Sequence, residues 1–309
     1  MTVSYHEPVL LKESLDALLV NPSGVYADCT LGGGGHSFAI LSRLDGKGFL
    51  HAFDRDLEAV HFAGKRLAAF QNFSIHAKPF SAIAEEIPAG TLSGVLYDLG
   101  VSSHQLDDSS RGFTFAGDNP LDLRMDRRET VSAQEWLRGV SAETLAKVFK
   151  NNSDLERSYK LALVILDFAA DTDREILPQD IRAAVEKVFP DKRKDWNGIL
   201  ARVFQAIRME VNEELLQIKE SLTGAVACLV RGGRMVVISY HSVEDRCVKT
   251  TLAEFEKDCI CPVELPVCRC GGKHRQLKKV FRKPVLPTSE EIARNSRARS
   301  AKLRVYERV

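Results

Sequence analysis

Four consecutive glycines, Gly32 to Gly35, separate a strand-like segment that ends in Asp28 from a helix-like segment that begins at His36. That junction constrains the fold more than any other feature of the chain. Val25-Tyr-Ala-Asp28 is apolar and short, as a buried strand is, and His36 to Leu44 has helical spacing. Gly48 to Phe53 then reads as a second strand ending at Asp54, and Leu57 to Phe70 as an amphipathic helix with Val60, Ala63, Leu67 and Phe70 on one stripe. Phe73 to Ala77 and Gly94 to Tyr97 supply a third and a fourth strand, the latter running into Asp98. Strands alternating with helices of this length predict a parallel, doubly wound α/β sheet.

The rhythm breaks after Asp107, where short capped helices suggest a helical insertion. Ser132-Ala-Gln-Glu135 fits a capping box, and Pro178 suits the first turn of a helix through Phe189. From Phe204 to Leu229 apolar residues recur at steps of three or four, which predicts one long helix ended by Gly232-Gly233. Arg234 to Ser239 resumes the strands, followed by late strands at Lys279 to Arg282 and Lys302 to Tyr306. In the last of these, Leu303 and Val305 point inward between basic residues.

The length of 309 residues and 44% hydrophobic content suit two globular domains, or one large α/β domain with an insertion. The apolar run Leu161 to Leu166 meets Asp167 far short of the roughly 20 residues that span a bilayer, so no membrane association is expected. Met1 leads into Thr-Val-Ser-Tyr-His-Glu-Pro with no basic and apolar leader, so a cytoplasmic location is expected. The net charge of +1 conceals a polarity: residues 269 to 309 hold 13 Lys/Arg against 3 Asp/Glu, a balance of +10, which leaves −9 for the rest. Such a basic stretch suits nucleic acid, and equally a solvated surface.

The glycine run lies where an open α/β sheet binds its ligand, and it lets backbone amides approach an anionic group. As a dinucleotide fingerprint it fits Gly32 and Gly34 but has Ser37 where a third small residue belongs. Asp54 stands 20 residues beyond Gly34, the spacing of a carboxylate that accepts hydrogen bonds from ribose hydroxyls. Its plainer reading is a turn residue. Phe80 is placed to stack on a purine or simply to fill core. Asp98 and Gln105, past the fourth strand, offer an acceptor and an amide to the same crevice, and Ser239 to Asp245 closes the next strand on that edge. Cys259-x-Cys261 and Cys268-x-Cys270 raise the question of zinc, but the spacing is not the familiar CxxC. Reduced thiols in a surface loop are the simpler reading, and no metal is expected.

Nine stretches, in order along the chain, resemble the bacterial 16S ribosomal RNA cytosine-N4 methyltransferases. They are His6 to Leu11, Asp28 to Ser37, Asp98 to Ser103, Gln105 to Asp107, Arg111 to Phe115, Pro120 to Asp126, Val203 to Arg208, Val237 to Ser242 and Arg297 to Arg304. The resemblance implies a Rossmann-like methyltransferase core, residues 1–104 and 203–309, interrupted at 105–202 by a helical domain that helps recognise RNA. It implies S-adenosylmethionine as cofactor, with Gly34, Gly35, His36, Asp54, Phe80, Asp98 and Gln105 lining its site. It also implies methylation of a cytidine in 16S ribosomal RNA of the small subunit, cytidine 1402 of the decoding centre. Two stretches depart from the family pattern: Asn151-Asn-Ser-Asp154 replaces an acidic Gly-Glu-Glu, and Gly198 to Val203 replaces a run containing His-Pro.

Asp98 is the residue expected to orient the reacting amine, with His241 and Ser242 as weaker candidates for base contact. Arg294, Arg297, Arg299 and Lys302 are the expected phosphate contacts. Two rivals use the same features: a nicotinamide oxidoreductase, from the crevice and its acidic ribose ligand, and a non-catalytic ribosome-assembly factor that binds RNA. The sequence leaves the oligomeric state open.

Overall fold

The structure is a computed structural model that describes residues 8–309 except Ala116, Val263, Glu264 and Pro266. The leader reading at residues 1–7 and the His6-Glu7 part of the first matching stretch lie outside the described residues. The chain divides into two compact units, residues 1–100 with 215–309, and residues 101–214.

The first unit is built on a seven-stranded sheet in the order β3-β2-β1-β4-β5-β7-β6. Its strands are β1 (Val25–Asp28), β2 (Phe49–Phe53), β3 (Phe73–His76), β4 (Leu92–Asp98), β5 (Leu229–Ser239), β6 (Leu277–Lys279) and β7 (Lys302–Arg308). Strands β1 to β5 run parallel, while β7 is antiparallel to β5 and β6 antiparallel to β7.

Alternation along the strands sends successive side chains to opposite faces. Ala27, Phe53, Val95, Tyr97, Met235 and Val237 join one core, against Ile83, Ile218, Leu222, Val226, Val248 and Leu252 of the covering helices. Tyr26, Leu50, Ala52, Leu96, Val236 and Ile238 join the other, against Leu15, Leu18, Ile40, Leu41, Ala63 and Leu67. Both faces are therefore covered, and the sheet is the doubly wound, Rossmann-like one expected. From β1 the chain steps outward through β2 to β3, then returns to place β4 on the other side of β1. The carboxyl ends of β1 and β4 are the switch point, where open α/β sheets form their ligand crevice.

The second unit is helical, with helices Ala133–Gly139, Ala142–Ser153, Ser158–Ala169, Pro178–Val188 and Trp196–Val211 around a core that includes Leu137, Leu145, Phe149, Ile165, Ile181, Val185 and Val203. Ser132 and Glu135 form the expected capping box, and Pro178 opens its helix at the first turn. The family-like stretches Arg111 to Phe115 and Pro120 to Asp126 explain one another here. Arg111 is buried and donates to the carbonyls of Arg124 and Met125 at 3.1 and 2.9 Å, while the Leu123 amide donates to Arg111 O. Gly112 has φ +73, and a Cβ there would stand 2.7 Å from Asp122 N. Asn152, in one departing stretch, is buried and donates from Nδ2 to Ala206 O at 3.3 Å, tying its helix to Trp196–Val211.

Three local expectations are corrected. The single long helix from Phe204 is two, Trp196–Val211 and Glu214–Cys228. The break falls at Asn212, whose Nδ2 donates to Leu123 O and Arg208 O and whose Oδ1 accepts from Met125 N; Glu213 then turns with φ 51. Gly232-Gly233 does not end a helix but forms a bulge inside β5, where the register with β4 shifts between Leu92 and Gly94. The strand placed at Lys279 to Arg282 is at Leu277–Lys279. The compact units meet at 100/101 and 214/215, and Ile199, Leu200, Val203, Phe204 and Ile207 belong to the helical core.

Truncating Asn212 to alanine removes three hydrogen bonds and leaves the buried Leu123 carbonyl short of a donor. The Asn212→Ala chain is expected to lose roughly 2–4 kcal/mol of helical-unit stability. Urea unfolding followed by near-UV signals from Trp136 and Trp196, both in that unit, measures it. No helix among the described residues is long and apolar enough to cross a membrane.

Candidate functional site

The glycine loop begins at the end of β1 and is fixed by carboxylates. Asp28 is fully buried, its Oδ1 accepting from Thr30 N at 3.1 Å and its Oδ2 from Ser37 Oγ at 2.6 Å, so it braces both ends of the loop. Gly32 and Gly34 adopt φ +49 and +74, which non-glycine residues rarely adopt. Gly35 is small for a different reason, since a Cβ would stand 2.4 Å from Pro8 Cγ. Gly34 is the N-cap of helix Gly35–Leu41 and has no side chain to cap it. Gly34 N donates to Leu31 O at 2.7 Å, and the amides of the first turn beyond it have no side-chain cap, which leaves them as donors for an anionic group.

Asp54, at the end of β2, accepts from Gly32 N at 2.8 Å and from Asp56 N at 2.9 Å, one bond on each oxygen. An ionised carboxylate has about four acceptor positions, so both oxygens keep capacity for further donors. Burial pushes the Asp54 carboxyl up to about 6, against the pull of those two amides.

Asp98, at the end of β4, is the meeting point of three segments. Its amide donates to Thr30 Oγ1 at 2.7 Å, Tyr240 Oη donates to its Oδ1 at 2.6 Å, and His36 Nδ1 lies 3.6 Å from its Oδ2. Burial raises the Asp98 carboxyl above its ordinary value despite the nearby His36 and the Tyr240 hydrogen bond. Burial likewise raises the Tyr240 hydroxyl, and the adjacent Asp98 adds to it. The phenol therefore stays protonated and donates to the carboxylate. The His36 ring is buried and its Nε2 has no hydrogen-bond partner among the described residues. An orphaned polar nitrogen in such a position marks a place for a polar ligand group.

The other expected residues are placed as follows. Phe80 sits edge-on to Tyr97 at 6.0 Å, and Ser221 Oγ donates to its carbonyl. Gln105 lies in the second unit, where its Oε1 accepts from Ser102 N and its amide donates to Ser102 Oγ in a capping box. His241 is the N-cap of helix Ser242–Phe255: Nδ1 accepts from Glu244 N at 3.3 Å, and Nε2 lies 3.0 Å from Glu244 Oε1. Nδ1 is thus used in capping, while Nε2, although close to Glu244 Oε1, makes no hydrogen bond among the described residues, and Ser242 is exposed. Tyr240 is the residue that sequence reasoning missed. Its neighbours His241 and Ser242 draw attention at the end of β5, but nothing in the local pattern says that the tyrosine reaches Asp98.

Among the basic candidates, Arg294, Arg297 and Arg299 are exposed on helix Ser289–Arg294 and the 3₁₀ turn Ser296–Ser300. Lys302 lies 4.0 Å from Asp245, which also binds Arg304 Nε at 2.5 Å.

A profile of the MraW methylase family matches residues 3–309. The chain belongs to that family. Among curated proteins, "Ribosomal RNA small subunit methyltransferase H" of Clostridium botulinum (strain Loch Maree / Type A3) is 41% identical over 307 residues, covering 98% of this chain and 99% of the relative. The protein of the same name from Caldicellulosiruptor bescii is 40% identical with the same coverage. That of Fusobacterium nucleatum subsp. nucleatum is 37% identical, covering 99% of this chain and 97% of its own length. The family is one of S-adenosylmethionine-dependent methylases; the acid at the end of β2, the glycine loop and the orphaned imidazole nitrogen beside a carboxylate are groups that suit a ligand with hydroxyls, a carboxylate and an ammonium group.

Proposed function

We propose that this protein methylates the exocyclic N4 of a cytidine in 16S ribosomal RNA, at cytidine 1402 of the decoding centre, within the small ribosomal subunit in the cytoplasm. The observation that carries the reading is the Asp98 cluster, a partly buried carboxylate that accepts from Tyr240 Oη, on a backbone tied through its amide to Thr30 Oγ1, at the switch point of the sheet.

When bound, S-adenosylmethionine supplies an electrophilic methyl group on a sulfonium. Asp54 accepts hydrogen bonds from the ribose hydroxyls, and the turn at Gly34 with the amides of Gly35 and His36 holds the methionine end, with Phe80 on the purine side. Asp98 accepts a hydrogen bond from the target amine and turns it toward the methyl. The N4 lone pair is delocalised into the ring, so orientation is the scarce quantity, and positioning supplies much of the acceleration. The amine nitrogen would gain the methyl carbon as that carbon's bond to sulfur breaks, the electron pair remaining on sulfur as a neutral thioether, and would release one proton, for which Asp98 is the nearby acceptor. Tyr240 is a positioning residue that fixes Asp98. The base must leave its stack to reach this site, at a cost of a few kcal/mol that phosphate contacts offset. The helical unit is the part proposed to recognise RNA.

Unmethylated small subunits and free 16S RNA, each incubated with S-adenosylmethionine carrying a labelled methyl, test the reading. Label recovered as N4-methylcytidine supports it. Label on another base or atom overturns the N4 assignment, and cofactor binding with no label in either substrate favours the assembly role.

Arg297 and Arg299 are the proposed phosphate contacts. The Arg297→Glu/Arg299→Glu chain is expected to bind RNA more weakly and to lose about 1.4 from the slope of log affinity against log salt, roughly 0.7 for each single-strand phosphate contact. An unchanged slope in filter-binding titrations removes both residues from the interface.

A further inference from the structure

The loop between helix Ser242–Phe255 and β6 holds the four cysteines that the proposed reaction does not use. Their sulfurs, expected to be separate thiols, converge: Cys259 Sγ lies 3.5 Å from Cys268 Sγ and 3.7 Å from Cys270 Sγ, and Cys268 Sγ lies 3.6 Å from Cys270 Sγ. Cys261 completes the group, all four sulfurs lying within 4.8 Å of one another. A tetrahedral zinc with bonds of about 2.3 Å sets its sulfurs roughly 3.8 Å apart. A disulfide needs about 2.05 Å, well inside every spacing here. Sulfurs this close enclose a single ion and leave no room for the several irons of a cluster.

What gathers the sulfurs is not apolar packing. Ile260 and Val267, each next to a cysteine pair, are 63% and 71% exposed. A loop without a core of its own needs a cross-link to hold one shape. The loop's base is closed by backbone bonds, Gln276 N to Phe255 O at 2.8 Å and His274 N to Asp258 O at 3.1 Å. Toward its tip the two cysteine pairs meet at their sulfurs. The amides of Arg269 and Cys270 both point at Cys261 Sγ at 3.3 Å, the outer hydrogen bonds that a metal-bound thiolate collects. Gly271 and Gly272 follow with φ +77 and +68, turning the chain back directly after the last cysteine. Charge also balances: four thiolates around Zn²⁺ carry −2, and residues 257–275 contain four Lys/Arg against two Asp/Glu, a balance of +2.

We propose that Cys259, Cys261, Cys268 and Cys270 bind one zinc ion as a closed, structural tetrathiolate. All four positions are filled by protein, so the ion has no open place for substrate and does no chemistry. It fixes the loop from which the basic C-terminal segment departs.

Metal analysis of the full chain, purified with reductant and dialysed against zinc, is expected to give about one zinc per chain. Cobalt in place of zinc should give the intense visible bands of a tetrahedral thiolate site. The Cys259→Ser/Cys268→Ser chain should lose the metal while a Cys247→Ser control keeps it. Titrating the unmutated protein with an organomercurial should release zinc in step with four thiols, a reading that does not depend on whether the variants fold. Stripping the metal should speed tryptic cleavage after Arg269 and Lys273. Zinc below about a tenth of an ion per chain after reconstitution overturns the proposal, as do iron in its place or disulfides among these cysteines in freshly lysed cells.

Discussion

Replacing Asp98 with asparagine is expected to lower the methyl-transfer rate by roughly 10²–10⁴ while cofactor affinity changes by less than about tenfold. Asparagine keeps an oxygen for the Tyr240 hydroxyl, so the strand end retains its shape, but it loses the negative charge and the ability to take a proton. Single-turnover transfer and calorimetric cofactor binding, measured on the same preparation, separate the two effects. Equal loss of both would make Asp98 a cofactor ligand and nothing more.

Tyr240→Phe gives a finer reading of the same cluster. The tyrosine hydroxyl donates to Asp98 and favours its ionised form, against burial, which raises the carboxyl. Removing the donor should move the acid limb of the pH–rate profile to higher pH. A merely structural tyrosine would lower the rate at every pH and leave the limb in place. The fall at neutral pH is expected to be about tenfold, the loss of one charge-assisted hydrogen bond.

The crevice was legible because it is written locally. A strand of four residues, a carboxylate at its end and a run of glycines lie within a dozen positions, and the same pattern of strand then acid recurs at Asp54 and Asp98. The contacts that organise it are not local. Tyr240 meets Asp98 across 142 residues, and neither segment's periodicity reports the other. The helix break at Asn212 was hidden for a related reason. Apolar spacing continues through it, and the interruption is made by hydrogen bonds to Leu123 and Met125, 89 and 87 residues away. His241 and Gln105 show the opposite limit. Both are polar residues at helix starts, where chemistry and capping call for the same residue types, and both serve capping here, His241 as N-cap and Gln105 as the third-position partner of Ser102. The cysteines show a third. Spacing of two pairs does not reveal convergence; a loop that folds them together does.

Asp54 offers the sharpest test of the cofactor assignment, because its carboxyl is pushed up to about 6 from an ordinary 3.8. Ribose hydroxyls bind best to the ionised form, so cofactor affinity should be constant above pH 7 and fall as pH drops through 6, by about tenfold between pH 8 and pH 5. Stability of the free protein has the opposite sign. A raised carboxyl favours the folded state where it is protonated, a contribution fully present below 3.8 and lost as pH rises through about 6. Cofactor binding and intrinsic stability thus respond to this one group in opposite directions. Asp54→Asn should weaken the cofactor by roughly 10–100-fold at pH 7.5, the worth of hydrogen bonds to a charged acceptor, and should remove this group's share of the pH dependence of binding. RNA affinity should stay nearly unchanged. Calorimetry from pH 5 to 8 on both chains measures this, and a parental affinity that does not fall below pH 6 would take Asp54 out of the ribose site.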